Sequence, residues 1–209
     1  MICYRGIQIL HCDNHLLAAI KPPNMPSQAD ASGDPDMLTV MRDYIQEAYG
    51  KPGKAFLGLI HRLDRPVGGV MAFARTSKAA ARLSKQFRER TAERMYLATV
   101  RGTPENEATL DGVVDGRDAV LAYRCIDRRP PLALLEVCLE TGRKHQIRIQ
   151  LSASGLPIYG DARYGGGIPG QQIALWAARI TLTHPTLHER MTFEAPLPQT
   201  EPWTYWRNR

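Results

Sequence analysis

What this 209-residue chain lacks narrows it first. Its four cysteines, Cys3, Cys12, Cys125 and Cys138, are scattered with no C-x-x-C pair. Neither a zinc knuckle nor a thiol redox motif is written, and the expectation is four reduced core thiols. No apolar run approaches the roughly 20 residues of a membrane span, and residues 7–10 are too short an apolar stretch for a secretory signal. A soluble, cytoplasmic protein is expected. There is no G-x-x-x-x-G-K-[ST] loop, no G-x-G-x-x-G turn and no G-x-S-x-G elbow, so nucleotide hydrolysis, hydride transfer and ordinary esterase chemistry lack their signatures. No repeat, low-complexity tract or Ser- or Gly-rich linker divides the chain, which reads as a single domain over residues 1–209.

What is present is basic. Twenty-seven Lys and Arg face 21 Asp and Glu, a formal charge of +6 with a pI near 9.3, which favours a polyanionic partner. The charges cluster: Arg82, Lys85, Arg88, Arg90 and Arg94 fall in one segment, Arg143, Lys144 and Arg148 in another. Arginine dominates, and a planar guanidinium holds phosphate bidentately and stacks on a base. A solvated helix face is the plainer account of the first cluster.

One stretch stands out, His61-Arg62-Leu63-Asp64-Arg65, ahead of the turn Pro66-Val67-Gly68-Gly69. Two guanidinium groups beside one carboxylate favour its ionised form, which suits a nucleophile or proton acceptor. A surface ion-pair cluster in a tight turn would use the same five residues.

The surrounding pattern is mixed. Residues 15–20 read as a strand stopped by Lys21-Pro22-Pro23, and residues 24–35 as a loop. Asp36 can cap a helix carrying Leu38, Met41, Ile45 and Ala48 on one face, with Gly50 past its end. Residues 56–60 and 69–74 read as apolar strands that place Asp64 on the turn between them. Thr76 or Ser77 caps a second helix with Ala80, Leu83, Ser84 and Phe87 on one face and Lys78, Arg82, Lys85 and Arg88 toward the other. Strands are expected at 94–101, 119–126, 132–139, 173–183 and 191–194. The 119–126 and 132–139 runs bracket a basic turn as an antiparallel pair, and Tyr96 could be ordinary core. Periodicity leaves residues 146–151 open between strand and helix. His184 and His188 lack a third ligand nearby, and the proline between them breaks helical spacing, which speaks against a metal site. Trp203 and Trp206 are expected to dock the tail.

Three ordered stretches resemble the RluA-type pseudouridine synthase family: His61-Arg62-Leu63-Asp64-Arg65 with its turn and following strand, Arg94-Met95-Tyr96, and Thr141-Gly142-Arg143-Lys144-His145-Gln146-Ile147-Arg148 with Gly155-Leu156-Pro157-Ile158-Tyr159-Gly160-Asp161. The resemblance runs from about residue 15 to 198. It implies an α+β fold around a mixed, largely antiparallel sheet, with residues 146–151 helical. It makes Asp64 the catalytic aspartate, Tyr96 the aromatic that packs on the target base and Arg148 the partner of Asp64. It places Arg62 on the RNA around a flipped nucleotide, with Arg65, Arg82, Arg88, Arg143, Lys144 and His145 as further RNA-binding candidates. The reaction implied isomerises uridine to pseudouridine in a stem-loop of rRNA or tRNA, without metal or nucleotide cofactor, by a monomer.

The chain departs from the family pattern at Gly68, where serine is frequent, at Lys144, where a small hydroxyl residue is usual, and at Arg94, where lysine is common. The stretch before His15 is too short for the small amino-terminal RNA-binding domain of many relatives, so substrate choice is expected from this domain alone. A hydrolytic glycosidase usually needs two carboxylates; one ionised aspartate suffices for breaking a base–sugar bond and rejoining the sugar to a ring carbon. Two rivals remain: a catalytically silent RNA-binding protein or folding helper on the same fold, and a nucleoside-bond hydrolase. The charge pattern makes a first prediction. If about six phosphates are neutralised, RNA affinity falls about a thousandfold between about 50 and 200 mM salt, and equal binding across that range removes the electrostatic argument.

Overall fold

The computed structural model describes residues 2–50 and 55–206. In chain order the described elements are β1 (Ile2–Tyr4), β2 (Ile7–Cys12), β3 (Leu16–Lys21), α1 (Met37–Ala48), β4 (Gly58–Leu59), β5 (Gly68–Ala74), α2 (Ser77–Arg88), β6 (Glu93–Arg101), β7 (Glu107–Val114), β8 (Arg117–Arg129), β9 (Leu132–Leu139), α3 (Gln146–Ala153), β10 (Leu175–Thr183) and β11 (Arg190–Glu194). A short 3₁₀ turn, Trp203–Trp206, follows. The content is α+β, as the resemblance implies. The chain gathers into two compact units, Met1–Ala92 with Arg179–Ala195, and Glu93–Ala178 with Pro196–Arg209. Strand β10 contributes residues to both.

In the first unit β1, β2, β3 and β5 pair antiparallel in succession, and β4 pairs with β5. Strand β5 is buried along its whole length, which is why it reads as a continuous apolar run rather than an alternation. Arg5 and Gly6, both at positive φ, make the two-residue turn between β1 and β2. Asp36 caps α1 by accepting the Thr39 N–H, and Thr76 caps α2 by accepting the Ala79 N–H. The buried face of α1 is Met37, Val40, Met41, Tyr44 and Ile45, each contributing about 1.5–3 kcal/mol of burial. It is rotated from the expected stripe, leaving Ala48 exposed. On α2, Ala79 and Leu83 are buried while Lys78, Arg82, Lys85 and Arg88 face solvent.

In the second unit β6, β9, β8 and β7 form an antiparallel run in that order. The expected pair around the basic turn is β8 and β9. Strand β7 has no hydrophobic pattern to read because it is largely exposed. Its signal is the dipeptide Asp115-Gly116, both residues at positive φ, which closes the β7–β8 hairpin. The tail docks as expected: Trp203 and Trp206 are buried, and the Trp206 indole donates to Thr99 Oγ1 at 2.9 Å.

The cysteines correct one expectation. None of the four is in a disulfide, but Cys3 and Cys138 are exposed and Cys12 and Cys125 half-buried. Cys3 lies on the short, exposed strand β1, and Cys138 follows buried Val137 on the opposite face of β9. Neither belongs to the core.

Asp13 ties together the loops of the first unit. Its Oδ1 accepts the N–H groups of His15 and Leu16 at 2.7 and 2.8 Å. Its Oδ2 receives His11 Nε2 at 2.8 Å and His184 Nε2 at 2.9 Å. Because His184 Nδ1 accepts the Leu187 N–H at 2.9 Å, its proton lies on Nε2, and both ring nitrogens are occupied. Burial works to raise the Asp13 carboxyl, but the His15 N–H, the His11 ring and the Leu16 N–H hold it down to about 2. A depressed carboxylate stabilises the fold above its unfolded value and loses that contribution as pH falls through the folded one. Wild type is therefore expected to lose about 1–2 kcal/mol between pH ~4 and ~2 that Asp13→Asn does not lose, less than the full shift because water screens a half-buried group. Denaturation midpoints across pH read this difference. Parallel pH profiles for the two proteins would return Asp13 to an ordinary surface group.

Candidate active site

Asp64 lies in the first unit, at the end of an extended segment that follows β4, and its carbonyl accepts the Val67 N–H at 3.0 Å to close the turn into β5. The strand expected at 56–60 shrinks to Gly58–Leu59, with Phe56 turned half out to solvent. The residues around Asp64 are tied to what lies behind them. The His61 ring stacks on Phe87 with centroids 5.0 Å apart, and its Nε2 accepts the Ala72 N–H of β5 at 3.0 Å. The Ser27 hydroxyl donates to the Leu63 carbonyl at 2.7 Å and accepts the Leu63 N–H at 3.1 Å.

Lys21 supplies the next tie. At 0% exposure, its ammonium donates to the carbonyls of Met25 at 2.6 Å, Pro22 at 2.9 Å and Arg65 at 3.0 Å. Three N–H bonds meet three acceptors, which is what a buried cation needs. Burial pushes the Lys21 ammonium down to about 7, the Asp64 carboxylate opposes that fall, and Arg65 adds to it. In the sequence Lys21 reads only as the end of a strand. Nothing in its neighbourhood along the chain tells that its side chain turns inward beneath residues 64 and 65.

Arg65 differs from the picture of two arginines clamping Asp64. Its guanidinium is held by the 30–34 loop: Nη1 donates to Asp34 Oδ2 at 2.7 Å, and Nη2 to both Asp30 oxygens at 3.1 Å and to the Ser32 hydroxyl. Ser32, through its hydroxyl and then its N–H, holds the Asp30 carboxyl at about 2, with Arg65 assisting. Arg62 is exposed.

The second unit carries Tyr96 and Arg148. Tyr96 is buried on β6, in register with Val137 of β9. Arg148 is on the first turn of α3. This helix buries polar side chains: Gln146 Nε2 donates to the Val120 carbonyl, and Gln150 Nε2 to those of Leu110 and Ala119. Its buried residues mix the apolar pair Ile147 and Leu151 with Gln146, Arg148 and Gln150, so its apolar stripe is only two residues long. That is why periodicity leaves residues 146–151 open, although the helix implied by the resemblance is there.

Arg148 is buried and makes a two-pronged ion pair with Asp161, Nε to Oδ2 at 2.7 Å and Nη2 to Oδ1 at 2.8 Å. Its guanidinium carbon lies 5.0 Å from the Tyr164 ring centroid. The Tyr164 hydroxyl is 2.9 Å from His145 Nδ1, and His145 is in the left-handed region with φ 57°. Burial works to raise the Asp161 carboxyl, but Arg148 and the Tyr164 and Arg163 N–H groups hold it below the usual carboxylate range. Gly160, at φ 76°, stands where a Cβ would collide with the Gln172 carbonyl, so the approach to Asp161 admits only glycine. The family motif contains the Gly160-Asp161 pair, but the sequence alone gives Asp161 no partner.

The remaining RNA-binding candidates are displayed on surfaces. Arg82, Arg88 and Lys144 are exposed, Arg82 also donating to the Pro185 carbonyl and Arg143 to that of Asp118. Among the described residues no three His, Cys, Asp or Glu side chains gather to hold a metal ion, and no helix is long and apolar enough to cross a membrane.

Residues 15–153, which include Asp64, Tyr96 and Arg148, match the family model described as RNA pseudouridylate synthase. The chain is 31% identical over 219 residues to the ribosomal large subunit pseudouridine synthase D of Nitrosomonas europaea, covering 92% of this chain and 62% of that one. It is likewise 31% identical over 227 residues to the protein of the same name from Pseudomonas aeruginosa, covering 94% and 70%. It thus spans about two thirds of the length of these relatives. The solved structure of human RNA Pseudouridylate Synthase Domain Containing 4 matches its fold with a TM-score of 0.76 at 24% identity, over 92% of this chain and 89% of that one. By the match over residues 15–153 and these relatives, the chain belongs to the RNA pseudouridylate synthase family.

Proposed function

We propose that this protein is an RNA pseudouridine synthase that isomerises uridine within a structured RNA, with Asp64 as the reacting carboxylate. The observation that carries this reading is the Asp64 turn, a carboxylate whose flanking backbone is anchored to Ser27 and Lys21 while its own side chain is only half-buried. Such a group is fixed in place and still reachable by a ligand.

The chemistry asks for little more. In uridine the ribose is joined to N1 of the base, in pseudouridine to C5. One C–N bond breaks, one C–C bond forms, C5 gives up a proton and N1 takes one, so no oxidant or second substrate enters. The target must leave its stack, at a cost of a few kcal/mol. Tyr96 is assigned to offset that by stacking, worth about 1–3 kcal/mol per base. Arg148 is assigned as the cation that serves the reacting carboxylate. The arginines of α2, with Arg62, Arg143, Lys144 and His145, are assigned to the RNA backbone; Arg65 joins them only if RNA phosphate displaces Asp30 and Asp34 from its guanidinium. Relatives named for the large ribosomal subunit make its RNA the first substrate to try, in the cytoplasm, with the protein acting as a monomer.

Mapping pseudouridines across the RNAs of cells with and without the gene tests the activity and names the substrate together. Loss of a pseudouridine in the deletion supports the reading, release of free uracil by the purified protein selects a hydrolase, and no difference selects a silent binder. Asp64→Asn is expected to abolish conversion while leaving the fold and most RNA affinity intact, and Tyr96→Phe to retain more activity than Tyr96→Ala. An Asp64→Asn protein as fast as wild type would make Asp64 structural. Lys21→Met is expected to destabilise the first unit by about 1–3 kcal/mol, because it takes the ammonium from three half-buried carbonyls, and chemical denaturation measures that directly.

A further inference from the structure

The loop between β3 and α1 carries two carboxylates that neither of its ends uses. Those ends are closed without them: the Met37 N–H donates to the Pro26 carbonyl at 2.9 Å and the Leu38 N–H to that of Ser27 at 3.3 Å, while Asp36 caps α1. Between these ties residues 28–35 are exposed throughout. Among the described residues, their hydrogen bonds run either within the loop or to Arg65. The Ser32 N–H and hydroxyl donate to Asp30 Oδ1 at 3.0 and 2.6 Å, and the Asp34 N–H donates to the Ser32 hydroxyl at 3.1 Å. These bonds turn both carboxylates onto one guanidinium, Asp34 Oδ2 receiving Nη1 at 2.7 Å and the two Asp30 oxygens receiving Nη2 at 3.1 Å. Arg65 does not need the loop to hold its own backbone. Lys21 already takes its carbonyl at 3.0 Å, and the Val67 N–H closes the turn on the Asp64 carbonyl.

We infer that this loop is a detachable acidic clip on Arg65, whose two carboxylates hold the places that RNA phosphate oxygens take when RNA binds. The inference rests on the RNA partner of the function proposed above and adds a competition to it: clipped loop and bound RNA exclude each other on one guanidinium. Carboxylate and phosphate offer an arginine the same fork of anionic oxygens. The exchange costs the protein little. The side chains of Arg65, Asp30 and Asp34 are 37%, 45% and 55% exposed, and ion pairs open to water hold weakly. Residues 28–35 are exposed already, so lifting them away gives up little burial. An RNA phosphate on Arg65 releases counterions as well, and carboxylates left in place beside it would repel it. The clip therefore sets a threshold. A lone anion competes poorly with two aspartates tethered beside the guanidinium, whereas an RNA already held by other cations arrives at a high effective concentration.

The test pairs Asp30→Asn with Asp34→Asn, in the wild-type chain and in an Arg65→Gln background, and measures the affinity of each protein for a fluorescently labelled RNA hairpin with uridines in its loop. Phosphate contacts carry no sequence information, so such a hairpin serves as the probe. In the wild-type chain the two asparagines are expected to tighten binding by about three- to tenfold, since the clipped population no longer has to open first. In the Arg65→Gln background the same pair is expected to change affinity by less than about twofold. An equal gain in both backgrounds is ordinary removal of negative charge and overturns the inference, as does weaker or unchanged binding in the wild-type chain. A readout independent of affinity is the ¹⁵N relaxation of the Ser32 and Gly33 amides. They are expected to be rigid in the free protein and mobile in the complex with the hairpin, and a loop that stays rigid in the complex overturns the clip. Free inorganic phosphate is expected to leave the loop rigid, and release by phosphate alone overturns the assignment to RNA. A wild type whose loop is released by the hairpin but which forms no pseudouridine in any RNA overturns the functional reading and leaves the clip as a feature of an RNA-binding protein. A wild type that does not bind the hairpin overturns the inference.

Discussion

The backbone on either side of Asp64 is held from behind by two buried polar side chains, and the rest of the first unit is arranged to keep them there. Ser27 both donates to and accepts from the Leu63 backbone, and Lys21 spends one of its three N–H groups on Arg65. An ammonium without exposure is tolerated only when every N–H has an acceptor, and the cost of one missing is large. The 22–25 segment must therefore return its carbonyls to Nζ, β3 must end at Lys21 and β5 must begin just beyond the turn. The turn at Asp64 is thereby tied to the residues behind it.

The second unit uses the same principle with the signs exchanged among more partners. Arg148 is a buried cation whose fork is filled by Asp161, whose carboxylate is in turn filled by loop N–H groups. Breaking such a network at one member leaves a charge in low dielectric, which is why its members act as a unit. The exposed ion pairs, Arg5 with Asp43, Lys85 with Glu89 and Arg179 with Glu194, are of a different kind. Water and salt screen each of them, and holding two long side chains in one geometry offsets most of the attraction that is left. The chain thus divides its charge into a small buried set that holds geometry and a large exposed set suited to a polyanion.

Arg65 lies between those sets. Beside Asp64 in sequence, it is expected to support the carboxylate or the RNA, and it is instead gripped by Asp30, Ser32 and Asp34. The acidic residues of a loop whose composition resists helix and sheet satisfy a cation that the turn would otherwise leave to solvent.

Local chemistry makes much of this legible in the sequence itself. Caps at Asp36 and Thr76, the continuous apolar run of β5, the alternation of β6 and the β8–β9 pair are dictated by neighbours within a few residues, so a one-dimensional reading finds them. The three motifs that mark the family are short for the same reason, since Asp64, Tyr96 and Arg148 each need a specific local backbone. Helix α3 is not legible from pattern, because only Ile147 and Leu151 of its buried residues are apolar, and the buried Gln146 and Gln150 are satisfied by strands 26 to 40 residues away. Lys21 beneath Asp64, Ser27 on Leu63 and Asp161 on Arg148 are not legible either. Burial of a polar group becomes favourable only when partners distant in sequence arrive in hydrogen-bonding geometry. Whether a lysine after a strand points to water or into the core is decided by those partners, and folding alone brings them together.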